Sequence, residues 1–241
     1  MFSTTAQEIT NSGIKCMVFG RSGMGKTMLA ATLPQPIIIS AESGLLSLSP
    51  ENITRVHGAG AWGVNYDPIN VIKIKSMDDL AKALAWCKDP NNHQYFKSCM
   101  LDSLTEIAEV VLKNAKGLVK DPRQAYGALL EEMMDGVRQF RDIPNKHVVL
   151  VCKEEAFKDE LTGSNKFGPM MPGTKLSAQL PYLVDEVFAL RMGRAADGSQ
   201  YRYIQTQPDL QYEAKDRSGR LNAQEFPHLG MIFNKILGVA Q

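Results

Sequence analysis

The chain has 241 residues, of which 44% are hydrophobic, enough to bury the core of one α/β domain. Its 27 basic and 26 acidic residues leave a formal net charge of +1, so the overall charge calls for neither a nucleic-acid nor a membrane partner. The four cysteines lack the spacing of a zinc site or a secreted disulfide framework. Because no apolar run resembles a leader or a bilayer span, we expect a single domain over residues 1–241, soluble and cytoplasmic.

Strand-like and helix-like segments alternate through the first 152 residues. Short apolar runs predict strands at residues 14–19, 36–40, 53–57, 71–75, 98–101 and 147–152. Apolar residues at helical spacing predict helices at 77–87, 104–118 and 124–140, with another helix from residue 27 until Pro34 stops it. This alternation is typical of a mostly parallel sheet covered on both faces.

The amino-acid composition changes after residue 152. Residues 154–174 are polar and rich in Gly, Pro and Met, so we expect a functional or disordered loop there. A short helix is predicted at 176–183. Extended runs near 186–192, 201–207 and 210–215 then predict an antiparallel edge of the sheet.

A glycine-rich motif follows the first predicted strand. Its glycines let backbone N–H groups surround phosphate oxygens, while Lys26 would reach the β- and γ-phosphates of ATP and the Thr27 hydroxyl would bind Mg²⁺. A glycine-rich turn before a helix is the simpler alternative, but the strand before it and the helix after it favour a nucleotide-binding loop. The pattern GxxxxGK[ST] is matched by Gly20, Arg21, Ser22, Gly23, Met24, Gly25, Lys26 and Thr27.

Two acidic residues follow predicted strands. Asp102 closes an apolar strand, where a P-loop protein needs a carboxylate for its magnesium shell; an ordinary strand-end or N-cap aspartate is the alternative. Ser103 comes next, where many P-loop ATPases carry the glutamate that orients water. Glu42 lies two residues past the strand at 36–40, at the expected carboxyl edge of the sheet. We predict that Glu42 is catalytic, against the alternative of a solvated loop acid.

Two cations stand at alternate positions late in the chain. In extended structure, Lys215 and Arg217 project to the same side, where one or both could stabilise charge on a transferring phosphoryl group. A solvated turn is the alternative.

In this order the segments GRSGMGKT, IIISAES, CMLDSLTEI, HVVLVCKE and AKDRSG resemble the RecA superfamily, and most closely the short bacteriophage RecA-like ATPases of the Sak single-strand-annealing group. The resemblance spans residues 14–227. It implies a RecA-like P-loop core, a catalytic role for Glu42, and insertion of Lys215 and Arg217 into the neighbouring subunit's ATP site. Two features depart from the family: Cys152-Lys153-Glu154 replaces the expected polar sensor, and the recombinases' N-terminal oligomerisation module is missing.

The resemblance also implies partners and a location. The implied partners are single-stranded DNA, which residues between 153 and 175 would contact, further copies of the chain in a ring or filament, and a single-strand-binding protein. The implied location is the bacterial cytosol of the phage host. The candidate DNA contacts are Lys158, Lys166 and Lys175.

Two functions remain open from the sequence. One is a Mg²⁺-dependent ATPase, stimulated by single-stranded DNA, that acts in phage recombination or annealing. The other is a nucleotide-controlled adaptor, such as a helicase loader, with little hydrolysis. Glu42 together with Lys215 and Arg217 favours the enzyme, since a switch has less need for these residues.

Overall fold

The computed structural model describes residues 13–42, 44–159 and 163–239. Within these ranges the strands form one sheet. In chain order they are β1 (Lys15–Gly20), β2 (Pro36–Ser40), β3 (Asn70–Lys73), β4 (Ser98–Asp102), β5 (His147–Lys158), β6 (Asn165–Met170), β7 (Glu186–Arg194), β8 (Gln200–Gln205), β9 (Lys215–Asp216) and β10 (Gln224–Glu225). Across the sheet the order is β10, β8, β7, β1, β5, β4, β2, β3, while β6 pairs with β5 and β9 with β7.

The centre of the sheet is parallel and its C-terminal strands are antiparallel. Strands β7, β1, β5, β4, β2 and β3 run parallel to their neighbours. Strands β8 and β10 continue the sheet in antiparallel fashion beyond β7. The predicted fold class, a mostly parallel sheet flanked by helices with an antiparallel C-terminal edge, is confirmed. One detail differs, because the first run of the predicted edge is β7, which pairs in parallel with β1.

Helices cover both faces of the sheet. They are α1 (Pro50–His57), α2 (Met77–Lys88), α3 (Leu104–Leu118), α4 (Pro122–Arg141), α5 (Thr174–Gln179) and α6 (Leu229–Leu237). The apolar stripes of α2, α3 and α4 pack on one face, where alternate residues of β1 such as Met17 and Phe19 point. The intervening residues, such as Cys16 and Val18, meet α6 and the segment that follows the glycine-rich loop.

The predicted helices at 77–87, 104–118 and 124–140 are confirmed. Each begins at a polar cap: Ser76, Ser103 and Asp121 accept backbone N–H groups of the first turn of α2, α3 and α4 respectively. The predicted short helix at 176–183 is α5 followed by a 3₁₀ turn, Leu180–Leu183. No helix in the described part of the chain combines the length and apolar character needed to cross a membrane.

The predicted strand at 53–57 is wrong, because these residues form the end of α1. Ser49 caps that helix by accepting the N–H of Asn52, and Pro50 occupies the first turn. Only Ile53 of α1 is buried, so the segment is a surface helix with one anchoring side chain.

The helix after the glycine-rich loop is shorter and tighter than predicted. It is a 3₁₀ helix, Thr27–Thr32, and the chain is already extended at Leu33. Pro34 and Pro36 leave room for only six helical residues, and a residue that precedes proline is biased away from helical backbone angles. The backbone carbonyl oxygens of Ala31 and Leu33, at the end of this short helix, accept hydrogen bonds from the side-chain amide of Asn65.

The loop predicted at 154–174 is a β-hairpin over most of its length. Strand β5 continues to Lys158 and pairs antiparallel with β6, from Lys153 opposite Met170 to Lys158 opposite Asn165. Residues 160–162 of the predicted loop lie outside the described residues. The run is polar because the hairpin extends beyond the core: residues 156–158 and 163–165 are exposed, whereas Gly168 and Pro169 near its base are buried.

The last predicted extended run, 210–215, forms little strand. Only Lys215–Asp216 pairs, as β9, with the start of β7. Tyr212 makes an isolated bridge and a ring stack with Phe167 of the hairpin. The segment therefore crosses from the hairpin to the first residues of β7.

Candidate functional site

The glycine-rich loop lies at the carboxyl end of β1. Gly23 and Gly25 adopt positive φ angles of 77° and 95°, which glycine tolerates without strain. The Lys26 ammonium folds back over the loop and donates to the carbonyl oxygens of Gly20, at 2.7 Å, and Arg21, at 2.9 Å. The loop thus has the turns that the motif predicts, with Lys26 held on its own backbone.

Asp102 is the last residue of β4 and its side chain faces the loop. The Thr27 hydroxyl hydrogen-bonds the Asp102 carboxylate, although β5 separates β4 from β1. Asp102 is 1% exposed, and its Oδ2 atom has no hydrogen-bond partner among the described residues. Burial raises the pKa of Asp102 to about 6, and the negative charge of Glu42 adds to this, while the bond from Thr27 and the charge of Lys26 act against it.

Glu42 lies just beyond the end of β2, the next strand after β4 in the sheet. The backbone N–H of Glu42 donates to Ser40 Oγ at 3.1 Å, which fixes the turn at the strand end. Ser40 pairs with Asp102 across the two strands, so both acids lie at the same edge. Both also interact electrostatically with Lys26, whose pKa burial lowers while these two charges raise it.

The four predicted residues Lys26, Thr27, Asp102 and Glu42 therefore converge at one edge of the sheet. The unpaired carboxylate oxygen of Asp102 and the nearby hydroxyl of Thr27 are oxygen ligands of the kind that Mg²⁺ takes while it keeps several waters. The described residues contain no group of three His, Cys, Asp or Glu side chains that could hold a metal without such waters or phosphates. The donor set accordingly fits a Mg²⁺ ion shared with phosphate oxygens.

A further acid, Glu154 on β5, lies beside the loop. Its side chain is 6% exposed and its Oε1 is 3.9 Å from Arg21 Nε. Burial raises the pKa of Glu154, while Arg21, Lys26 and Arg191 lower it. Sequence reasoning missed this neighbour, because the strand was expected to end at Cys152 and the residues that follow show no alternation of polar and apolar side chains.

Lys215 and Arg217 are not brought to the loop. Strand β9 pairs with Glu186 and Val187, which lie beside the amino end of β1, whereas the loop follows its carboxyl end. The Lys215 ammonium donates to two carbonyl oxygens of its own chain, those of Pro181 and Val184, both at 2.6 Å. Arg217 is exposed and pairs with Asp185 at 3.1 Å.

The three predicted DNA contacts are spread along the hairpin and its C-terminal side. Lys158 is exposed at the end of β5, and Lys166 on β6 pairs with Asp159 at 2.5 Å. Lys175 is exposed in the first turn of α5. Lys158 and Lys166 lie near the far end of the hairpin, whereas Lys175 follows its base.

The hairpin is joined to the candidate site through α3. The Thr105 hydroxyl donates to the Met170 carbonyl at 2.8 Å and accepts the Lys153 N–H at 3.0 Å. Lys153 also forms an ion pair with Glu106. Since α3 begins two residues after Asp102, the base of the hairpin is bonded directly to the segment that carries the candidate magnesium ligand.

The glycine-rich loop, the strand order and the side chains that converge beside the loop are those of a P-loop ATPase domain. The chain belongs to the AAA domain family AAA_24, whose model matches residues 12–218. Among solved structures the chain is similar to a KaiC-like protein from the hyperthermophilic archaeon Pyrococcus horikoshii OT3, with 12% identity and a TM-score of 0.43 over 85% of this chain and 82% of that one. No curated protein matches the chain.

Asp102→Asn is expected to stabilise the nucleotide-free protein. The raised pKa means that the folded state holds a proton more tightly than the unfolded chain, so wild-type stability is fully present below about pH 4 and falls until pH passes about 6. The gain should therefore be small at pH 4 and reach roughly 1–3 kcal/mol at pH 7.5. Urea unfolding at both values, without nucleotide or Mg²⁺, measures it. Asp67→Asn, at an exposed position, is the control, and an equal gain at both pH values would contradict the account.

Proposed function

We propose that this protein is a Mg²⁺-dependent ATPase. The observation that carries the proposal is the convergence of four side chains at the carboxyl edge of one sheet, although they lie at or beyond the ends of three different strands. They are Lys26, Thr27, Asp102 and Glu42. Membership of a family described as an AAA domain supports it.

Each residue then has a distinct task. Lys26 exchanges its two backbone carbonyls for phosphate oxygens, which are stronger acceptors because they are charged. Thr27 and Asp102 hold the Mg²⁺ ion, which when bound neutralises phosphate charge. Glu42, beyond the end of β2, accepts the proton of the attacking water and orients it towards the terminal phosphate.

We further propose a RecA-like role on single-stranded DNA, in phage recombination or annealing in the host cytosol. The resemblance of the ordered motifs to the Sak group motivates this role. The bonds from Thr105 to both strands of the hairpin support it, because they give the candidate DNA-binding element a direct mechanical link to the ATP site.

The proposed assembly is a homo-oligomer with shared ATP sites. The exposure of Arg217, at the end of the sheet opposite its own loop, supports a role in a neighbouring subunit's site. Head-to-tail contacts of this kind generate a ring or a filament. A single-strand-binding protein is a further proposed partner on the same DNA.

One observation favours the second function, the nucleotide-controlled adaptor. The Lys215 ammonium is used within its own chain, on the carbonyls of Pro181 and Val184. Half of the predicted cation pair is therefore committed to local structure, and a switch with little hydrolysis needs neither cation.

Lys26→Ala is expected to abolish ATP binding, and Glu42→Gln to keep binding but lower turnover by at least about a hundredfold, because a base acts only in the chemical step. Nucleotide binding by calorimetry and phosphate release, with and without single-stranded DNA, separate the two effects. Lys113→Ala, on the exposed side of α3, is the control. Full turnover in the Lys26 variant would refute the ATPase proposal, and slow wild-type turnover with tight ATP binding would favour the adaptor.

Neutralising Lys158, Lys166 and Lys175 to Gln is expected to weaken single-stranded DNA binding and flatten its salt dependence. Each phosphate contact releases roughly 0.7 counterion, so the slope of log affinity against log salt should fall by about 2. Fluorescence anisotropy of a labelled oligonucleotide at several salt concentrations gives the slope. The control is an equal loss of charge elsewhere, at Lys113, Lys116 and Lys120. An identical slope in both triple variants would place any DNA site away from the hairpin.

Mixing two inactive variants tests the shared site. Lys26→Ala subunits keep Arg217 but lack a working loop, while Arg217→Ala subunits keep the loop, so mixed assemblies contain some complete sites. Arg217→Ala alone should retain ATP binding and lose up to about a thousandfold in turnover. Activity should return on mixing and disappear on dilution. If co-assembled variants stay inactive, or Arg217→Ala turns over ATP normally, Arg217 serves no neighbouring site.

A further inference from the structure

A cleft of about 170 Å³ opens beside the glycine-rich loop. We call it the side cleft. One wall is the loop and the 3₁₀ helix, a second is the end of α1, and the third comes from β7, β8 and the residues before α6. The residues that line it include Gly25, Met28, His57, Arg202, Phe226 and Pro227.

The side cleft lies on the other flank of β1 from the acids. In the sheet, β5, β4 and β2 lie on one side of β1 and carry Asp102 and Glu42, whereas β7 and β8 lie on the other and carry Leu190 and Arg202 of the cleft wall. A triphosphate on the loop with its terminal phosphate near Asp102 and Glu42 must direct its other end away from them. That end carries the nucleoside, and the side cleft is the concavity it meets.

His57 lines the side cleft and carries a ring nitrogen without a partner. Its Nε2 is buried and has no hydrogen-bond partner among the described residues. Burial, and then the nearby His228, lower the pKa of His57, so the ring is neutral at pH 7 and offers one donor and one acceptor. A buried polar atom without a partner costs free energy that a ligand's hydrogen bond recovers. The edge of a nucleobase supplies such a partner.

Phe226 gives the cleft an aromatic surface that the fold does not use. The side chain is 64% exposed, although Glu225 before it pairs with Lys235 and Pro227 after it leads into α6. Exposed aromatic rings that stack on bases contribute roughly 1–3 kcal/mol by alanine substitution. The ring is therefore exposed enough to stack on a base, and the residues on either side of it hold its backbone in place.

Arg202 completes the cleft on the side of the phosphates. Its guanidinium carbon lies 4.0 Å from the position that a Cβ on Gly25 would take. It forms no ion pair with any described residue. A free cation at this point suits the phosphate nearest the ribose.

We propose that the side cleft holds the nucleobase, stacked on Phe226 and hydrogen-bonded at its edge by His57 Nε2, with Arg202 beside the first phosphate. This inference rests on the proposed function, because it assumes that a nucleoside triphosphate occupies the loop. The proposal identifies the residues that would allow the protein to bind a nucleotide in preference to a polyphosphate without a base.

The test compares ATP with inorganic tripolyphosphate, which carries the phosphates without the base. His57→Ala and Phe226→Ala should each weaken ATP binding about tenfold and leave tripolyphosphate binding unchanged. Phe226→Tyr, which keeps the ring, should retain wild-type affinity for both. The matched control is Tyr182→Ala, which removes an aromatic ring that is 82% exposed elsewhere. Calorimetry gives both affinities, and thermal unfolding checks each fold.

Two results would overturn the proposal: equal weakening of ATP and tripolyphosphate, or unchanged ATP binding in both alanine variants. A wild-type protein that binds neither compound would instead refute the proposed ATPase function. Should a variant fail to fold, the wild-type chain can be photolabelled with 8-azido-ATP, whose reactive group sits on the base. Labelling within residues 50–57 or 224–229 supports the assignment, and labelling only elsewhere rejects it.

Discussion

The buried carboxylate of Asp102 is the constraint on which the candidate site depends. Strand β4 lies between β5 and β2, so its last residue is covered on both sides while its side chain carries a charge. A pKa of about 6 against an ordinary 3.8 corresponds to roughly 3 kcal/mol of unfavourable burial at neutral pH. This cost remains after the favourable effects of Thr27 and Lys26 are included, and Oδ2 lacks any described partner. In the proposed ATPase, a Mg²⁺ ion beside Oδ2 would offset this cost.

The same strand end carries the link to the hairpin. Ser103 caps α3 directly after Asp102, and Thr105 in its first turn bonds Lys153 of β5 and Met170 of β6. These bonds are short and partly shielded from solvent, so the hairpin base and the start of α3 move together. Asp102 is thus connected to both strands of the hairpin through the backbone of α3 and the hydroxyl of Thr105. In the proposed function, this connection is the route by which the ATP site and the hairpin would be coupled.

Most of the fold and the chemical part of the site could be predicted from the sequence, because both rest on local patterns. Apolar runs that end in Asp102 or lead to Glu42, and a loop with fixed glycine spacing, signal their positions directly. Residues 53–57 of α1 were predicted as a strand because two apolar residues outweighed the Ser49 and Pro50 cap. The hairpin was missed because its residues show no alternation of polar and apolar side chains. His57, Glu154 and Arg202 had no local signal, since only tertiary packing brings them to the loop.

The brevity of the helix after the loop changes how phosphate is attracted. A long α-helix presents about half a unit of positive charge at its first turn, but the six-residue 3₁₀ segment here is too short to sum many peptide dipoles. Attraction must come from side chains and from the loop's own N–H groups. Lys26, Arg21 and Arg202 surround the loop, while Glu154 neutralises part of their charge in the nucleotide-free protein. The carboxylates of Asp102, Glu42 and Glu154 also act on Lys26, so in the proposed function an incoming triphosphate must compete with acids already beside the loop.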